Sequence, residues 1–271
     1  IFFHTPLASV LILTYATGGP MRDAWRQVCE DARDLGDAEH KLRALWGLWT
    51  DRCGCNQYTE ALELAERYIA LNNSGSQQLL GKRMRAVTLF HMGDLMGARQ
   101  NIDEALGSPS APRSHIIDLQ FDQRIAARCL KAKVQLLEGD VDPALRLIGS
   151  CVDEAISLEH PATLWYTLCL GAIPLALLAS NLPKVRYYLG LLQDSTTGQD
   201  LHIWRQFRLC FENILLIREG APETGVPQLG EALQEMDARA LGLPGLVDGL
   251  RRRIAEADPD DETQQLRLES D

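Results

Sequence analysis

Apolar residues recur along this chain with helical spacing, in pairs of segments separated by short polar breaks. Residues 38–53 place Leu42, Leu45, Trp46 and Trp49 at i, i+3, i+4 and i+7, the spacing of one face of an amphipathic helix. After a break at Gly54-Cys55-Asn56, residues 57–71 repeat the pattern with Leu62, Ala65, Tyr68 and Ile69. The same reading predicts helix pairs over 5–17 and 20–35, 76–92 and 94–106, 118–138 and 140–158, 161–180 and 182–193, and 200–219 and 222–236. Gly closes several of the first helices and Asp or Pro opens several of the second, as at Gly93-Asp94 and Gly139-Asp140, the asymmetry expected of helix ends.

The pairs read as copies of one unit. A small residue recurs near the start of each second helix, at Ala24, Ala61, Ala98, Ala144, Val185 and Gly225, where it lets the second helix approach the first closely. A period of roughly 34–47 residues marks a helical-hairpin array. The turn Met92-Gly93-Asp94-Leu95-Met96-Gly97-Ala98, followed by Ala105, resembles that of a tetratricopeptide (TPR) repeat. The expected fold is therefore all-α, a right-handed α-solenoid of about six TPR-like hairpins over residues 1–236, with neighbouring hairpins burying one another's apolar faces. Residues 107–115 read as a loop inserted into the array. Residues 237–271 are expected to hold a partial further hairpin or a capping helix, then an acidic, disordered tail from Asp258. A chain beginning with Ile is expected to be a piece of a longer protein.

Composition agrees with helix and narrows the function. Aromatics are 6% of residues and the formal charge is -10, which disfavours strand-rich folds and a nucleic-acid-binding surface. The 7 cysteines, odd in number and most of them set in apolar helical patterns, point to reduced thiols in the cytoplasm. Residues 162–180 carry no charge over a length that could span a bilayer. Thr163, Thr167, Gly171 and Pro174 interrupt the run, and it keeps register with the repeat, so a buried helix bent near Pro174 is expected.

The chain lacks a catalytic pattern. Gly81-Lys82 is followed by Arg83 inside a helical pattern and is no phosphate loop; GxSxG, HExxH and dinucleotide fingerprints do not occur. Cys53-Gly54-Cys55 with His40 upstream is too sparse for a metal site, so no metal or cofactor is expected. Lone histidines read as packed or surface residues, and the tryptophans Trp46, Trp49, Trp165 and Trp204 as core or as the lining of a groove. Glu60 and Glu63 read as a solvated face. The densest polar segment is 113–128. Arg124 and Arg128 stand one turn apart there, positioned either to clamp a carboxylate or phosphate or to tie the inserted loop to the array. Arg113, His115, Phe121, Asp122, Arg124, Arg128 and, from the following repeat, Trp165 are the residues expected at a partner or ligand site.

Several stretches resemble one family. Arg43-Ala44-Leu45-Trp46-Gly47-Leu48-Trp49, Leu89-Phe90-His91-Met92-Gly93-Asp94-Leu95, the string from Arg113 to Arg128, Pro174-Leu175-Ala176-Leu177-Leu178 and Leu215-Leu216-Ile217-Arg218-Glu219-Gly220 carry the likeness. The chain resembles the C-terminal helical-repeat region of bacterial transcriptional regulators that join a winged-helix DNA-binding domain, a STAND-type ATPase and a TPR-like array. The resemblance implies a non-catalytic regulatory module whose partner is a protein, a peptide or the parent's other domains. It gives this region neither DNA binding, ATP hydrolysis nor membrane contact. A small-molecule or peptide sensor with an enclosed pocket is the alternative. The chain departs from the family at both ends, where the winged helix, the ATPase and further hairpins are not found.

Overall fold

A computed structural model describes residues 19–71, 75–107, 121–197 and 202–238. These residues form eleven helices and no strand, so the fold is all-α. In chain order they are α1 (Gly19–Asp34), α2 (Ala38–Gly54), α3 (Tyr58–Ala70), α4 (Gly75–His91), α5 (Leu95–Gly107) and α6 (Gln123–Leu137). They continue with α7 (Val141–Ser157), α8 (Pro161–Leu178), α9 (Leu182–Thr196), α10 (His202–Arg218) and α11 (Pro222–Ala238). The first predicted helix, 5–17, the inserted loop and the tail from 239 lie outside the described residues.

Each helix packs on the next in sequence, and α2, α4, α6, α8 and α10 also pack on one another in succession. The core follows this order. One apolar cluster runs from Trp25 to Met84, a second gathers Ala86, Ile102, Ala127 and Leu130, and a third extends from Ile125 to Met236. Val87 packs against both of the first two and so joins them.

Local chemistry sets the boundaries. The expected turn glycines Gly93, Gly139 and Gly220 all adopt the left-handed conformation, with φ of +86°, +96° and +91°. Asp94 then caps α5, its carboxylate accepting from Gly97 N at 2.8 Å. A Cβ on Gly97 would lie 2.3 Å from that carboxylate, so glycine there makes room for the cap. The helix predicted over 118–138 begins at Gln123, because Asp122 is extended and caps its first turn. Ahead of Pro174, residues Leu168–Ala172 form a π-turn in which Ile173 N donates to Leu168 O. Proline lacks an N–H and crowds the preceding turn, and the wider turn accommodates both. Among the described residues, Pro161–Leu178 alone has the length and hydropathy of a membrane span, and 61% of it is buried in the protein.

The repeating small residues lie where paired helices touch. Ala61, Ala98, Ala144 and Val185 are fully buried, while Ala24 is partly exposed. At Gly225 a Cβ would fall 2.8 Å from Asn213 O on the partner helix. Replacing Ala98 with Leu is expected to overpack α5 against α4 and to lower stability by about 2 kcal/mol. An unchanged urea midpoint in Ala98→Leu would show that Ala98 is not at the contact.

Candidate functional site

Four alternate helices converge on one buried cation. In α4, Leu80, Arg83, Met84 and Val87 share the face that packs inward, and Arg83 occupies a position where the pattern calls for an apolar side chain. Its side chain is 2% exposed. The guanidinium carbon lies 5.4 Å from the Trp49 ring of α2 and 5.8 Å from the ring of Phe121, just before α6. Phe121 stacks on Tyr166 of α8 at 4.1 Å, and the Tyr166 phenol sits beside the guanidinium.

The walls are held in place by hydrogen bonds. Trp49 Nε1 donates to Thr88 Oγ1 at 3.0 Å, and the Thr88 hydroxyl donates to Met84 O. Asp122 N donates to Thr163 Oγ1 at 2.9 Å, joining the start of α6 to α8. Thr163 in turn meets Nδ1 of His160, which caps α8.

Among the described residues, the charge of Arg83 meets no carboxylate. Burial lowers the Arg83 pKa, opposed by Tyr166 and by the thiols of Cys53 and Cys129. Burial also raises the Tyr166 phenol and pushes the Cys53 thiol up to about 12. At neutral pH these neighbours are uncharged, and Cys53 is no thiolate for nucleophilic attack or for holding a soft metal. Among the described residues no group of three His, Cys, Asp or Glu gathers as a metal site. Nε and Nη2 of Arg83 are buried without a hydrogen-bond partner.

The residues expected from sequence are distributed differently. Phe121 lies at this site as a wall, whereas Asp122 is a buried cap accepting from Arg124 N at 2.8 Å and Ile125 N at 2.9 Å. Arg124 and Arg128 do not form a shared clamp. Arg124 Nη2 donates to Leu106 O at the end of α5 at 3.1 Å. Arg128 reaches α7, pairing with Glu154 and donating to Ser150 Oγ at 2.8 Å. Trp165 is buried, donates to Ser195 Oγ of α9 at 3.2 Å and packs 5.9 Å from Trp204 of α10. Arg113 and His115 lie outside the described residues. Sequence reading passed over Arg83 and Tyr166; the available signal was a charged residue in the apolar register of α4.

Asp122 offers a test of cap against ligand group. Asp122→Ala is expected to lower stability by about 2 kcal/mol through loss of a buried cap, while Asp122→Asn keeps most of it, since Asn caps equally well. Equal loss in both variants, read from urea midpoints, would show that the carboxylate's charge is needed. Comparison with protein-family models, with curated proteins and with solved structures finds no match to this chain.

Proposed function

We propose that this chain is a right-handed solenoid of TPR-like hairpins that serves as a non-catalytic, cytoplasmic interaction and regulatory module of a bacterial winged-helix and STAND-type regulator. The observation that carries the reading is the packing order: each helix on the next, alternate helices on one another, and small residues at the pair contacts. An array built this way presents extended surfaces to a partner. At the turns of successive pairs, Met92 and Met96, Leu137 and Val141, and Leu178 leave apolar surface exposed, material for a protein contact. Small-angle scattering tests the shape. A compact chain of this length has a radius of gyration of about 18 Å, and a curved array exceeds it. The reading frame upstream of Ile1 tests the class: a winged helix and a P-loop support it, and an unrelated domain overturns it. The alternative, a ligand-sensing domain, is favoured by one observation, the uncompensated charge of Arg83.

A further inference from the structure

Burying a guanidinium without a counterion is unfavourable, and proteins ordinarily pair such a group or leave it out. Arg83 carries two buried unsatisfied nitrogens, Nε and Nη2, where Arg85 and Arg124 carry one each. Arg22, Arg52, Arg99, Arg128, Arg186 and Arg208 all meet carboxylates, whereas Arg83, far more buried, meets aromatic rings. Cation–π contact and the hydrogen bond with the Tyr166 phenol offset part of the desolvation but leave Nε and Nη2 unsatisfied.

The geometry of the unsatisfied atoms defines what they can receive. Nε and Nη2 form one edge of the guanidinium, the fork that matches two oxygens of a single carboxylate. A phosphate would draw on several donors or cations. The groups acting on this guanidinium are instead a phenol and thiols, and the walls are Trp49, Phe121 and Tyr166. Trp49 is buried, while Phe121 and Tyr166 keep part of their surface in solvent.

We propose that the Nε–Nη2 edge of Arg83 receives the carboxylate of a small amphiphilic acid whose apolar body stacks among Trp49, Phe121 and Tyr166. The inference rests on the ligand-sensing reading and gives it a substrate class and a site. Because α2, α4, α6 and α8 each contribute to the surroundings, an acid bound there joins four helices and favours the array geometry that makes them converge.

Thermal unfolding of the whole chain with benzoate, phenylacetate and hexanoate tests this, with benzamide and benzyl alcohol as neutral analogues and orthophosphate as the other anion. A saturable rise in Tm of about 5 °C or more at a hundredfold excess over Kd is expected for an acid that fits, and none for the neutral analogues. Arg83→Met should unfold no earlier than the parent without ligand and should lose the rise. Arg83→Lys keeps the charge and loses the fork, so the acid should bind about tenfold more weakly or worse, and it decides the matter if Arg83→Met does not fold. Equal shifts in the parent and both variants would overturn the site and leave a ligand-sensing domain with another pocket. No response to any acid would overturn both. A response to orthophosphate alone would overturn the carboxylate assignment.

Discussion

Gly47→Ala is expected to destabilise the protein by about 3 kcal/mol, the upper part of the range for overpacking a core. A Cβ built on Gly47 falls 2.2 Å from Cδ2 and Cε2 of Trp25 and 2.5 Å from its Nε1. These atoms belong to a rigid fused ring and cannot bend aside as the end of a flexible chain would. Trp25 is 1% exposed and meets Trp46 edge-on at 6.5 Å, so the indole has no free space to enter. Accommodation requires α1 to lift from α2, uncovering Val28 and Ala32, which are buried on the same face. Gly190→Ala is the matched control. Gly190 lies in α9 with nothing within 4 Å of its added Cβ, and alanine there should raise stability by roughly 0.5–1 kcal/mol through helix propensity alone. Urea midpoints moving in opposite directions would separate close approach from propensity. A Gly47→Ala protein as stable as the parent would mean that α1 does not rest on Gly47.

The helices were legible in sequence because their determinants are local. Apolar periodicity placed α2 and α3, the left-handed glycines Gly93, Gly139 and Gly220 marked turns, and the recurrent small residue marked pair contacts. The start of α6 was misread by several residues. A polar run containing Asp122 is compatible with a first turn or with a cap, and only the extended backbone at Asp122 distinguishes them. The π-turn before Pro174 was likewise hidden, since periodicity does not report how a helix absorbs a proline. The site was less legible still. Spacing put Arg124 and Arg128 on one face, yet their long side chains turn to α5 and α7, whose positions are tertiary facts. Arg83, Trp49 and Tyr166 lie on three helices and Phe121 just before a fourth, and nothing local joins them.

Arg22→Met should lower stability by about 3 kcal/mol, in contrast to the same change at Arg83. Asp51 of α2 is fully buried, and Arg22 Nε of α1 donates to its Oδ2 at 2.7 Å. The hydrogen bond to Asp51 holds the Arg22 guanidinium above its ordinary pKa. A raised folded-state value contributes stability that is fully present below the unfolded pKa and is lost only in strong alkali. The contribution is therefore constant through neutral pH. Removing Arg22 takes away one partner of a buried carboxylate, and breaking a buried pair costs about 3–5 kcal/mol. The lower figure applies because the Arg22 side chain is 29% exposed and solvent already screens part of the interaction. Arg52 approaches Asp51 only to 3.9 Å, and its guanidinium is engaged with Gln57 and Glu60. Asp51→Asn in the Arg22→Met background should recover much of the loss, because the buried charge is then gone from both sides. A double-mutant cycle in urea measures this, and additive losses would show that the two residues stabilise the protein independently. The two arginines differ in what lies opposite the guanidinium. Arg22 faces a carboxylate that needs it, so its removal exposes a cost. Arg83 faces rings and neutral thiols, so its removal relieves one, and only a bound anion would reverse that sign.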